Sequence, residues 1–185
     1  MERFKLDERL LKKRILLLTG EITKEKINVL RNLLFFLNNI SKKEIKLIID
    51  TRGGDVNSVL KFYDAIRLSN APVTCIVDGE CSSSGVAILQ AGKKRLITKH
   101  SFIFMHPISI HFEKEDFVID EKTEKRFIER LKATKKRQEF IYEIVSKRSG
   151  LTIEETKKKE GKFIFAEEAK ALNLIDKIVE EYKIF

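Results

Sequence analysis

Three apolar runs, each too short for a helix and each followed by a segment of helical period, limit what this chain can fold into. ILLL (15–18), KLIID (46–50) and VTCIV (73–77) are continuous rather than alternating, as expected of strands buried on both faces of a parallel sheet. Residues 24–39 follow the first, with Ile27, Leu30, Leu34 and Leu37 at helical spacing. Residues 57–69 follow the second, with Val59, Leu60, Tyr63 and Ile66 on one face, and the almost wholly apolar 84–91 follows the third. Strand and helix in alternation predict parallel βαβ units, an α/β fold with a mostly parallel sheet. RLIT (95–98) and FIFM (102–105) read as two further strands in quick succession.

After His111 the character changes. Residues 121–148 read as one long, highly charged helix with a thin apolar stripe of Phe127, Leu131, Ile141 and Val145. At roughly 40 Å it outreaches a small core, so it is expected to protrude and to pack on another element or subunit. Thr152 with Glu155 predicts a capping box, 166–172 a last helix, and IDKIV closes the chain. No repeat, linker or low-complexity block interrupts the 185 residues. The reading is therefore one domain: a core at 1–110, a handle segment at 111–149 and a closing segment at 150–185.

Composition narrows the class of protein. Hydrophobic residues make up 43% of the chain, too many for a disordered one. No apolar run nears the ~18–20 residues of a membrane span. The start MERFKLDERLLKKR has no signal-peptide core, so the expectation is a soluble cytoplasmic protein away from membranes. Cys75 and Cys81 alone make neither a disulfide framework nor a four-ligand zinc site. The net charge of +9 raises nucleic-acid binding, but the lysines are mixed with glutamates along the chain, as in KKEIK and EEYKIF. That mixing is the mark of a solvated charged surface, and no nucleic-acid partner is expected.

Chemistry is concentrated in three segments. In TRGGD (51–55) a glycine pair between strand and helix permits close backbone approach to a ligand, though a tight turn explains it as well. In GECSSSG (79–85) a serine falls at the start of a buried helix, where free N–H groups favour an oxyanion. On its own this segment reads first as helix capping, and Cys81 is a second, weaker nucleophile candidate. His106 ends the strand at 102–105, held extended by Pro107. His100 and His111 lack such a setting and read as surface residues.

Taken together, these segments resemble the Clp protease proteolytic subunit family, serine peptidases of crotonase-like fold. The resemblance runs through RLLKKRILLLTGEI (9–22), IIDTRGGDVNSVLKFYDAI (48–66), GECSSSGVAILQAGKKRLITKHSFIFMHP (79–107) and FIFAEEAKALNLIDKIV (163–179). It implies Ser83 as nucleophile, His106 as general base, and the N–H groups of Gly54 and Ser84 as the oxyanion hole. It also implies a ring homo-oligomer, with ring stacking as a further expectation, that cuts unfolded polypeptides or short peptides inside a chamber. No cofactor is implied in the chain itself; ATP hydrolysis would belong to a separate AAA+ unfoldase.

The sequence departs from that family at several points. The aspartate of the triad, two residues before the aromatic of the closing stretch, is Gly161 here. Glu160, adjacent, is the first alternative acid, with Asp116 and Asp120 nearer to His106 in sequence. Arg52 replaces the proline usual before the glycine pair. PISIHFEKEDF (107–117) lacks the glycine pair expected in the ring-pairing segment, and the start is shorter than the family's axial-pore loops. Gly161 keeps a catalytically weak or inactive homologue in view as the alternative. An acyl-CoA enzyme of the same fold has no use for a serine nucleophile.

Overall fold

The computed structural model describes residues 8–109 and 120–180. Along the chain the elements are α1 (Glu8–Lys12), β1 (Ile15–Ile22), α2 (Lys24–Ile40), β2 (Ile45–Gly54), α3 (Val56–Arg67), β3 (Val73–Ser82) and α4 (Gly85–Ala91). There follow β4 (Lys94–Thr98), β5 (Phe102–Phe104), α5 (Glu121–Ser149), α6 (Ile153–Lys157), β6 (Phe163–Phe165), α7 (Ala166–Ala171) and β7 (Lys177–Val179). The sheet runs β1-β2-β3-β4-β7, all parallel, while β5 pairs with β3, and β6 runs antiparallel to β5. This is the mixed α/β fold with a mostly parallel sheet that the alternating runs predict.

The first three strands extend well beyond their apolar cores. β1 and β2 shift register between Thr19 and Glu21 and then pair again, Ile22 opposite Gly54; β2 meets β3 beyond its own shift at Thr51 and Cys81. β3 gives its first half to β4 and its last three residues, Glu80–Ser82, to β5. Two of the three chemistry-bearing segments, TRGGD and GECSSSG, therefore begin as strand, not loop. The polar sequence of these extensions hid them, because their pairing comes from neighbours distant in the chain.

Helix burial follows side-chain spacing. In α2, Ile27, Leu30, Leu34 and Leu37 are buried as expected, and Thr23 caps the helix by accepting the Lys26 N–H. In α3 the core face is Val59, Phe62 and Ile66, with Leu60 and Tyr63 only half-buried. Phe62 takes the place expected of Tyr63, since residues 59, 62 and 66 share one face at a spacing of three and four. All seven residues of α4 are buried.

The 29-residue α5 is present, but only Ile141, Val145 and Ser149 of it are buried. Phe127 of the expected stripe is exposed, because the described residues of this chain cover only the helix's C-terminal part, through α4 and α6. The capping box forms: Thr152 Oγ1 accepts the Glu155 N–H at 3.2 Å, and the Thr152 N–H donates to Glu155 Oε2 at 2.8 Å. Among the described residues no helix is long and apolar enough to cross a membrane.

One buried ionic network ties these parts together. Arg95, only 3% exposed, donates to Asp176 Oδ1 at 2.5 Å, to Gln90 Oε1 at 2.8 Å and to the carbonyls of Arg148 and Asn173. Arg148 in turn donates to the carbonyls of Gln90 and Gly92, satisfying the C-terminal end of α4. The network thus joins α4, α5 and the closing segment.

Candidate active site

Two glycines bring β2 against the β3–α4 corner. A Cβ at Gly54 (φ 150°) would stand 2.2 Å from the Ile22 carbonyl oxygen, and one at Gly53 (φ 93°) 2.7 Å from the Ser83 Cβ. Neither position accepts a side chain, so the pair is required by close approach. Ser83 sits at the corner itself with φ of 55°, a left-handed conformation that is unusual for serine and marks a strained junction. It is held there by its N–H, which donates to the Phe104 carbonyl of β5 at 2.7 Å. Ser83 is half-buried, whereas Ser82 and Ser84 are buried.

The three serines therefore have separate partners. Ser82 Oγ donates to Glu80 Oε1 at 2.5 Å. Ser84 Oγ donates to the Gly54 carbonyl at 3.1 Å and accepts the Gly54 N–H at 3.0 Å. The Gly54 donor is thus turned onto Ser84, while the Ser84 N–H has no acceptor among the described residues. Cys81 is fully buried, and burial pushes its thiol well above the ordinary range. That removes it as a nucleophile, since the thiolate is the reactive form.

Ser83 and His106 line the same open cleft of about 840 Å³, between the glycine pair, the start of α3 and the middle of α5. They also line a blind pocket of about 20 Å³, together with Met105, Ile141, Val145, Tyr142 and Glu160, which has room for little more than one water. His106 Nδ1 lies 2.7 Å from the Pro107 carbonyl oxygen. A carbonyl only accepts, so Nδ1 carries the proton and Nε2 is left as the basic nitrogen. The next residue fixes the segment to α5, the Ile108 N–H donating to Gln138 Oε1 at 2.5 Å.

The alternative acids are placed differently from one another. Glu160 reaches the blind pocket beside His106, but its Oε1 accepts the Tyr142 hydroxyl at 2.5 Å. Burial, and then this carboxylate, push the Tyr142 phenol up from its ordinary value. Asp120 is exposed and caps α5, accepting the Thr123 N–H at 2.7 Å; it lines neither cavity. Asp116 and His111 lie outside the described residues, as does most of the segment compared with the ring-pairing stretch. His100 is exposed. Gly161 donates its N–H to the Met105 carbonyl at 2.9 Å, one residue from His106.

Sequence reasoning missed Tyr142, Gln138 and the Pro107 carbonyl. The first two carried a signal: Gln138, Ile141, Tyr142 and Val145 share one face of α5. The third carried none, because a backbone acceptor has no residue type. A strained serine, a histidine in one defined tautomer and a glycine pair thus meet at the ends of β2, β3 and β5, where open parallel sheets gather their sites. A sequence model of the Clp protease family matches residues 1–182, nearly the full length that carries this arrangement, and the chain belongs to that family.

Proposed function

We propose that this chain is a cytoplasmic serine endopeptidase of Clp protease type, with Ser83 as nucleophile and His106 as general base. Ser83 Oγ attacks the peptide carbonyl carbon while His106 Nε2 takes the hydroxyl proton. The carbonyl electrons move onto oxygen, which the N–H groups of Ser84 and Gly54 stabilise once Ser84 Oγ gives way. Collapse of the intermediate breaks the C–N bond, with His106 returning the proton to the leaving amine. Water, deprotonated by His106, then hydrolyses the acyl-serine. The observation that carries the reading is the shared cleft of Ser83, at its left-handed corner, and His106, with Nε2 as the basic nitrogen. A fluorophosphonate probe is expected to label Ser83, as located by peptide mapping. Turnover of peptides with no label on Ser83 would overturn the assignment.

The second reading, a weak or inactive homologue, is favoured by Gly161 and by the engagement of Glu160 with Tyr142. A carbonyl at His106 orients the ring but brings no full negative charge to stabilise the imidazolium, and loss of the charged partner costs about 10⁴-fold in the serine-protease template. Gly161→Asp is therefore expected to raise kcat/KM by about 10²-fold, part of that deficit. A Cβ there meets nothing within 4 Å, and at φ 72° aspartate is among the residues that tolerate the conformation best. Glu160→Gln, assayed beside it, reports whether Glu160 supplies charge through the pocket. Should neither substitution change kcat/KM while assembly stays intact, neither 160 nor 161 supports the base and the inactive reading gains.

We propose further that the chain assembles into a ring enclosing the site, fed by a separate AAA+ unfoldase that hydrolyses ATP. In support, Phe35, Phe36 and Ile40 of α2, Leu68, Phe127 and Ile128 of α5, and Phe163 and Phe165 of β6 are all exposed. Exposed apolar side chains are available to contacts between copies in a ring. Light scattering at micromolar concentration is expected to give the mass of several chains, and a monomer would refute ring assembly.

A further inference from the structure

The cleft carries a charge pattern that the proposed reaction does not use. Among its lining residues are three guanidinium groups, Arg52, Arg130 and Arg137, against two carboxylates, Glu21 and Asp55. Asp55 is already engaged, since its Oδ1 accepts the Ser58 N–H at 2.8 Å to start α3. The first turn of α3, through Val56 and Asn57, forms part of the same wall and adds the positive end of a 12-residue helix. Arg137 is half-buried and anchored, its Nε donating to Asn57 Oδ1 at 2.6 Å. Its two terminal nitrogens have no partner among the described residues, so its remaining donors are presented in a fixed fork. Arg52 stands beside the glycine pair, exposed and without an ion pair among the described residues. Arginine from two elements lining one cleft, Arg52 from β2 and Arg137 from α5, is suited to holding a carboxylate there.

We infer that this cleft selects peptides bearing a carboxylate close to the bond presented to Ser83, from an acidic side chain or from the peptide's own C-terminus. The bond in question rests on the peptidase reading; the carboxylate preference is a property of the cleft and is measured without turnover. The experiment uses the full-length Ser83→Ala protein and four fluorescently labelled peptides of one sequence, read by anisotropy. One pair differs by Glu against Gln at a single position, the other by a free C-terminus against an amide.

At low salt the acidic member of at least one pair is expected to bind about tenfold more tightly, as charge-assisted contacts allow. The pair that shows the difference identifies the source of the carboxylate. The preference should shrink at about 1 M salt, where the screening length falls to about 3 Å. It should vanish when Arg52→Gln and Arg137→Gln are added together, with circular dichroism and light scattering unchanged. Equal binding within both pairs, or tighter binding of the neutral member in either, overturns the inference. Turnover by the wild-type chain is scored separately. An acidic preference without turnover counts against the peptidase reading alone, and turnover without the preference counts against this inference alone.

Discussion

Ser83→Ala is expected to lower kcat for a fluorogenic peptide by about 10⁴-fold or more, the scale on which nucleophile loss acts in serine peptidases, with folding and assembly intact. The neighbouring hydroxyls are committed elsewhere, Ser82 to Glu80 and Ser84 to Gly54, so neither stands in for the missing one. The Cys81 thiol is fully buried and held protonated. Nor does the substitution disturb the corner: alanine keeps the Cβ that Gly53 packs against, and the 2.7 Å bond from residue 83 to the Phe104 carbonyl is made by backbone. Steady-state turnover beside a thermal melt and light scattering separates chemistry from folding. Activity at the wild-type level in the variant would remove Ser83 from the mechanism.

Arg95→Met is expected to be the most damaging change to stability, costing about 3 kcal/mol. Removal of the guanidinium strands the Asp176 carboxylate and leaves Gln90 Oε1 and the carbonyls of Arg148 and Asn173 short of a donor. Asp176 is 38% exposed at its side chain and regains some hydration, which keeps the cost at the lower end of the range for a broken buried pair. Chemical denaturation measures it; a loss below about 0.5 kcal/mol, the level of ordinary surface substitutions, would show that the network contributes little.

The same pair fixes a pH dependence. Burial alone would raise the Asp176 carboxyl, but the hydrogen bonds and charge of Arg95 outweigh it and hold the group below its usual value. The unfolded chain therefore binds this proton more readily. The stabilisation is complete above the ordinary carboxylate range and is lost as pH falls from about 4 downward. The melting-temperature gap between wild type and Asp176→Asn should narrow over that interval. A gap that stays constant would separate the pair from acid sensitivity.

The parts of this fold that were legible in the sequence are those where burial alone decides. ILLL, KLIID and VTCIV are strands because both faces are covered, and Ile27, Leu30, Leu34 and Leu37 are core because they share one helix face. What escaped was decided by partners far away in the chain. GECS reads as a loop until β5 arrives beside it, and Phe163–Phe165 becomes a strand only against β5. The same holds at the site. His106 stood out by residue type and order, Ser83, Ser84 and Gly54 were singled out by the family resemblance, and the four do share one region of the structure. The groups that complete their surroundings were not named: a carbonyl at Pro107, a phenol at Tyr142 and the arginines Arg130 and Arg137 of α5. Tyr142 alone carried a local signal, on the face of α5 shared with Ile141 and Val145; the others are brought there by tertiary structure.

The contact between Ser84 Oγ and the Gly54 N–H has a consequence for how binding energy is distributed along the proposed reaction. A neutral peptide carbonyl arriving at that donor replaces one hydroxyl acceptor with another neutral acceptor and gains little. An alkoxide in the same place is a far stronger acceptor and displaces the hydroxyl with profit. Moving the hydroxyl aside costs the same for either species, so the substrate, with the smaller gain, keeps almost none of it and the tetrahedral species keeps most. Affinity at this donor is suppressed in the Michaelis complex and appears only as charge develops, while the difference between ground-state and transition-state binding on which turnover depends is no larger than it would be without the competitor.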